Sequence, residues 1–456
     1  MAEHELVVRG GRLVLPGGVV EADLAVDGGV IAAIGPELAG AASELDARGL
    51  HVLPGGVDPH VHFDEPGRAH WEGVDSGSRS LAAGGFTCYV DMPLNNDPVT
   101  VDGPSFDVKL GAIRDRSHVD FALWGGLVKG NVDRLEEQHE RGVAGFKAFM
   151  CHSGIDEFPA VDDLSLYEGM QEIARLGSIL LLHAENAAIV AGLSARAREL
   201  GQITPRGFLA SRPPIAELEA ISRAILMAED TGCSTHIVHV SLAAGVRLVA
   251  EARARGVDVS CETCPHFLLF TEDELDRVGL PLKSAPPVRS RAERDALWEL
   301  LEDGTFDMIT SDHSPGHPDV KQGDFFAAWG GISGCQSTLQ LLLAAGHTER
   351  ALPLSLLVRA TGASASARFR LPGKGALEVG ADADLALVDL DWAGRVELED
   401  LHYRHRYSAY AGLPIRGRIV RTLLRGLTVY EDGRFATTPS GRFLRPGRKE
   451  TDPWLR

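Results

Sequence analysis

Two histidines one residue apart, His60 and His62, close the run Val57-Asp58-Pro59-His60-Val61-His62. Side chains alternate along a strand, so both imidazoles would leave on one face, and neutral imidazoles ligate divalent metals. The same kind of ending recurs in Leu182-His183-Ala184-Glu185, Val238-His239-Val240-Ser241 and Thr310-Ser311-Asp312-His313-Ser314. Lys147 lies inside the otherwise apolar Gly145-Phe146-Lys147-Ala148-Phe149. Each residue has a structural reading by itself: His183 or His239 as a satisfied strand-end histidine, Asp312 as a helix N-cap, Lys147 snorkelling to the surface. Their joint occurrence at strand ends points instead to a pair of divalent ions held by His60, His62, Lys147, His183, His239 and Asp312. A buried ammonium beside such ions is strongly disfavoured. If the Lys147 amine adds carbon dioxide, the resulting carbamate (N6-carboxylysine) is an anion whose two oxygens can bridge two metals, and burial favours the neutral amine this needs.

The elements that must position these residues follow an alternating pattern. Between about 52 and 365, short apolar runs (86–90, 145–149, 179–183, 235–239 and 307–310) alternate with segments of helical period such as 217–229 and 244–254. Repeated strand–helix units mean parallel strands joined by right-handed crossovers, and the length suits a (β/α)₈ barrel, in which strand C-termini meet at one mouth. The first 50 residues read as short strands. Leu6–Arg9 and Arg12–Leu15 are separated by Gly10-Gly11, and Asp23–Val26 enters the hairpin signal Asp27-Gly28-Gly29. β patterning returns in 384–388 and 419–424, and the tail from Pro439 reads as irregular. The expected α/β architecture is a barrel over 54–370 with a small β-sandwich built from both chain ends, 1–53 plus 371–456. A net charge of −19 excludes nucleic acid and anionic membrane surfaces as partners. No apolar stretch is long enough to span a bilayer, and the acidic N-terminus lacks signal-peptide character. The six cysteines are too scattered for a disulfide framework, so a cytoplasmic location is expected. Cys261-Glu262-Thr263-Cys264 has no second cysteine pair and reads as structural, while Arg212-Pro213-Pro214 reads as a turn into a helix.

The motifs resemble the amidohydrolase superfamily, in its cyclic-amide branch of dihydroorotases, hydantoinases and allantoinases, and are most similar to the allantoinases. Pro54 to Arg68 with Trp71-Glu72-Gly73 resembles that family's first metal motif, and Gly145 to Met150 its carboxylated-lysine strand. Ala82 to Thr87, Asp91 to Asn95, Glu262 to His266, Ala285 to Arg289, Ser311 to Pro315, Ala328 to Ile332 and Tyr403 to His405 continue the likeness over nearly the whole chain. The resemblance implies that His60 and His62 bind the more buried metal, that His183 and His239 bind the other, and that carboxylated Lys147 bridges them. It also implies that Asp312 ligates the first metal and carries the proton, and that the chain forms a homotetramer. Dihydroorotases carry an Arg two residues after the second His, where this chain has Asp64, whose charge would repel a substrate carboxylate. Hydantoinases place a Tyr five residues after the lysine, where this chain has His152.

The expected reaction is hydrolysis of the hydantoin ring of allantoin, a small cyclic ureide, to allantoate in purine catabolism. The hydroxide would be activated by two divalent ions, most simply zinc. Asp312 would accept a proton as the ring carbonyl is attacked and return it to the leaving nitrogen. Loop backbone around Ser284 and Trp329 is expected to read the ring. The alternatives are a hydantoinase or dihydropyrimidinase acting on another cyclic amide, or a metal-free scaffold without activity.

Overall fold

The computed structural model describes residues 3–306 and 308–447. Asp307, at the head of one expected strand, residues 1–2 and the end of the tail lie outside the described residues. The chain begins with five strands: β1 (His4–Leu15), β2 (Gly18–Asp27), β3 (Val30–Gly35), β4 (Ala41–Asp46) and β5 (His51–Pro54). Gly10-Gly11 is not the expected turn. It is a bulge inside the single strand β1, where the pairing with β2 slips between Val8 and Gly11 and Gly10 takes φ 62°. The hairpin signal at Asp27-Gly28-Gly29 does connect β2 to β3.

Eight parallel strands come next: β6 (Gly56–Val61), β7 (Phe86–Asp91), β8 (Asp120–Leu123) continued by β9 (Gly125–Gly126), β10 (Phe146–Phe149), β11 (Ile179–His183), β12 (Ser234–Ile237), β13 (Val259–Thr263) and β14 (Met308–Ile309). They pair in sequence order, and the ring closes where Val61 of β6 bridges His313 beyond β14. Val57, Cys88, Ala122, Trp124, Leu181 and Met308 fill the interior. This is the (β/α)₈ barrel, its interior plugged by side chains rather than hollow. The crossovers are amphipathic helices. In Pro214–Thr231, Ala216, Ala220, Ile221, Ala224, Ile225 and Ala228 recur at helical spacing, and all are buried. Two further helices, Ala187–Glu199 and Pro205–Ser211, are inserted ahead of it, capped by Asn186 and Thr204.

The chain closes with β15 (Leu385–Arg395), β16 (Pro414–Leu424), β17 (Leu427–Glu431) and β18 (Arg434–Phe435). β15 pairs antiparallel with β5, Val52 opposite Leu387, so the two chain ends share one nine-stranded sheet. That sheet curls over its own core of Val8, Leu24, Val52, Leu385 and Leu423, forming the small β unit beside the barrel. The described part of the tail is irregular, as expected, and lies along the barrel, with Phe443 bridging Phe121 of β8.

Candidate metal centre

All six expected ligands converge at the C-terminal mouth of the barrel. Parallel strands in register put them there: Lys147 sits opposite Leu181 on β10, and His183 is the last residue of β11. His239 and Asp312 lie just past β12 and β14, with φ of 41° and 44°. Side chains rarely adopt these left-handed values, which turn both residues out of strand geometry where the site begins. Asp312 Oδ1 lies 3.2 Å from His60 Nε2 and 3.6 Å from His62 Nε2. His60, His62 and Asp312 thus offer three ligand atoms within 4.8 Å of one another. His183 Nδ1 faces His239 Nε2 at 3.0 Å, and the His239 ring lies 5.5 Å from that of His60.

Lys147 occupies the space between these two groups. Its Nζ is fully buried, has no hydrogen-bond partner, and stands 5.0 Å above the Phe149 ring. Burial pulls its pKa down to about 8, opposed by Glu262 and Asp312. Burial also lowers His62, His183 and His239, leaving the neutral imidazoles that a metal requires. Burial pushes the Asp312 carboxyl up, but His60 and His62 outweigh it and hold the group below the ordinary carboxylate range. Neutral histidines, one carboxylate and an orphaned amine ready for carbamylation form a donor set that fits two divalent ions.

A second ring of side chains fixes the imidazoles. Glu262 accepts from His60 Nδ1 with one oxygen and lies 3.1 Å from His236 Nε2 with the other. This turns His60 Nε2 toward Asp312. The Asn95 amide lies 3.2 Å from His62 Nδ1, and Glu185 Oε2 lies 2.8 Å from His183 Nε2. Glu185 is also paired with Arg212. Burial opposes ionisation of Glu185, yet Arg212 and His183 bring it down to about 2. Carboxylates behind histidine ligands set tautomer and orientation.

His60, His62, His183, His239 and Asp312 form the floor of a cavity of about 540 Å³. The family comparisons agree with this geometry. The model of the amidohydrolase family matches residues 51–429. The chain belongs to the amidohydrolase family. Allantoinase from Rubrobacter xylanophilus is 57% identical over 99% of both chains, and allantoinase from Solibacter usitatus is 52% identical over 97% of both. Among solved structures, L-hydantoinase from Arthrobacter aurescens superposes with a TM-score of 0.94 at 36% identity, covering 97% of this chain and 100% of its own. Dihydropyrimidinase from Brevibacillus agri gives 0.89 at 29%, covering 96% of this chain and 98% of its own.

In this amidohydrolase Ser284 and Trp329 both line the cavity. The Ser284 backbone N–H and C=O make no hydrogen bond among the described residues. At Trp329 the backbone N–H donates to Val320 O at 2.7 Å and the indole to Ser314 O at 3.2 Å, while its C=O accepts no hydrogen bond among the described residues. Asp64 does not face the cavity: with φ 61° its carboxyl is buried away from it, raised well above its ordinary pKa by burial and by Asp91 and Glu72. His152 does line the cavity, with Nδ1 accepting from the Gly154 N–H at 2.9 Å. Arg212 is the turn into a helix, as expected, and its guanidinium also reaches the cavity wall. Cys261 and Cys264 are buried and form no disulfide, and the Cys264 sulfur lies within 4.8 Å of ligand atoms of His266 and Asp312. Among the described residues, no helix is long and apolar enough to cross a membrane.

Proposed function

We propose that this amidohydrolase opens the hydantoin ring of allantoin to give allantoate. The observation that carries the reading is the set His60, His62, His183, His239 and Asp312 on the floor of a cavity large enough for a small ring, with Lys147 buried beside them. Its setting is a chain 57% identical to an allantoinase over 99% of its length. His60, His62 and Asp312 would hold one divalent ion, His183 and His239 the other, and carboxylated Lys147 would bridge them. Bound there, the ions (zinc in our reading) lower the pKa of a water and polarise the ring carbonyl.

The chain's own groups do the rest. Asp312, ionised and facing the floor, accepts a proton from the attacking water and delivers it to the ring nitrogen as the carbon–nitrogen bond breaks. Without that delivery the nitrogen would leave as a poor, anionic leaving group. Glu262, Asn95 and Glu185 hold the imidazoles in one tautomer, so the floor does not reorganise during the step. The unpaired backbone groups of Ser284 fit a ring that presents both N–H and C=O, while Trp329 shapes the wall. The division we propose, 1–53 plus 371–456 against 54–370, follows β1–β5 and β15–β18 on one side and β6–β14 on the other, with the described tail running back along the barrel. A homotetramer is carried over from the resemblance alone, and light scattering on the purified protein tests it.

The likeness to L-hydantoinase keeps one rival alive, the same chemistry on another ring. Purified enzyme assayed side by side on allantoin, hydantoin, dihydrouracil and dihydroorotate decides between them. Allantoin should lead by at least about tenfold in kcat/KM, a modest margin for a polar pocket. Elemental analysis should find about two metal equivalents per chain. Faster turnover of hydantoin or dihydrouracil transfers the assignment to the rival, and a metal-free, inert protein removes both.

A further inference from the structure

The wall facing the metal ligands is cationic in a chain whose net charge is −19. Arg198, Arg212 and Lys283 all line the cavity, and each stands over an aromatic face. Lys283 Nζ lies 5.1 Å from the centre of the Phe208 ring, and the Arg212 guanidinium lies 5.3 Å from the same ring. Arg198 covers Phe326 at 5.1 Å, and Phe326 meets Phe208 edge to face at 5.8 Å. The inserted helices at 187–199 and 205–211 supply Arg198 and Phe208. The wall is therefore an addition to the barrel and not a part of its metal-bearing strand ends.

The donors on this wall are largely unspent. Arg212 is committed to Glu185. Lys283, only 6% exposed, makes one hydrogen bond, to Ala328 O, of the three an ammonium can donate. Burial and the neighbouring Arg212 draw its pKa down to about 8, against Asp324, so it is still largely an ammonium at neutral pH, and an acceptor brought alongside would favour that charged form. Arg198 is exposed at the rim, and its guanidinium makes no side-chain hydrogen bond or close ion pair among the described residues, the Asp324 carboxylate acting on both it and Lys283 from further off. An apolar substituent pressed against this wall would desolvate both cations and offer them no further acceptor. A flat group bearing a carbonyl oxygen would lie against this wall and accept from both.

We propose that Arg198, Phe208, Lys283 and Phe326 form the subsite for the ureido arm of the substrate, selecting ring amides with a planar, carbonyl-bearing substituent over those with an apolar one. This inference rests on the allantoin reading above. The test compares Arg198→Gln and Lys283→Met with wild type on allantoin and on a benzyl-substituted hydantoin, with metal content measured on each preparation. Losing a charged donor to a neutral acceptor should cut kcat/KM for allantoin by about 10- to 100-fold, mainly through KM. The benzyl substrate should hold or gain, and metal content should stay at the wild-type level. Arg198 is exposed on a helix, so its variant folds even if replacement of buried Lys283 disturbs packing. Equal losses on both substrates, or an unchanged KM for allantoin in Arg198→Gln, would overturn the subsite while leaving the allantoinase reading intact. A wild-type enzyme inert toward allantoin would instead remove the reading on which the subsite rests.

Discussion

Lys147 and Asp312 carry the most specific consequences of the site. Lys147→Ala removes the bridging anion, so activity should fall to background, and added short-chain carboxylate with excess metal should restore part of it. Wild-type turnover in the alanine variant without additives would end the carbamate assignment. Asp312→Asn keeps an oxygen for the metal but cannot carry a proton. The variant should retain bound metal and lose about 10²- to 10⁴-fold in kcat, the usual contribution of a placed acid–base group. A near-normal rate at neutral pH would exclude it as the proton carrier. The six candidate ligands are legible because histidine, aspartate or lysine in or at the end of an apolar strand is a costly choice with few uses. Glu262 carried the same signal, a carboxylate in the apolar run Val259–Thr263, but it was hidden inside a Cys-Glu-Thr-Cys pattern that drew attention to sulfur. Asp64 was misplaced because sequence does not report φ, and one left-handed residue redirects a side chain.

At the scale of elements, strand order and barrel closure were readable from period alone, whereas local geometry was not. Gly10-Gly11 reads equally well as turn or bulge until the partner strand is known. Likewise, His239 was expected inside a strand that stops at Ile237. The close approach that seats Lys147 depends on Gly145, and nothing in the alternation of apolar residues reveals it. A Cβ at Gly145 would lie 2.6 Å from both Ile179 Cγ2 and the Ile179 carbonyl oxygen, and 3.0 Å from Trp124. Because Ile179 opens β11, whose last residue is His183, relief of this clash must move one of two metal-bearing strands. Gly145→Ala should therefore destabilise the fold by about 1–3 kcal/mol. It should also lower metal content in protein that remains folded. Calorimetry and elemental analysis on the same sample check this. A stable variant with full metal occupancy would show that the strands absorb the methyl without shifting the ligands.

For the whole molecule, the question is what fastens the curled sheet to the barrel. Lys374 is fully buried and contacts Asp120 at 2.6 Å, Asp382 at 2.6 Å and Asp384 at 2.8 Å, and Arg425 also pairs with Asp120. Asp120 opens barrel strand β8, whereas Asp384 and Arg425 flank β15 and β16 of the sheet, so one ammonium ties together groups from both units. The cluster sits at the N-terminal end of β8, opposite the metal mouth. Burial lowers the Lys374 pKa, but Asp384, Asp120 and Asp382 outweigh it and raise the group above its ordinary 10.5. A raised folded-state value means the stabilisation is fully present below the unfolded pKa and is lost as pH climbs through the folded one. Lys374→Met leaves buried carboxylates short of a countercharge and should cost about 3–5 kcal/mol. The deficit relative to wild type should hold from about pH 6 to 9 and close only in strong alkali, where wild type deprotonates too. At temperatures where the variant is folded, kcat should match wild type, because the lysine touches nothing at the mouth. Urea unfolding across that pH range, read beside kcat, tests the assignment, and a variant as stable as wild type at neutral pH would show that Arg425 alone balances the cluster.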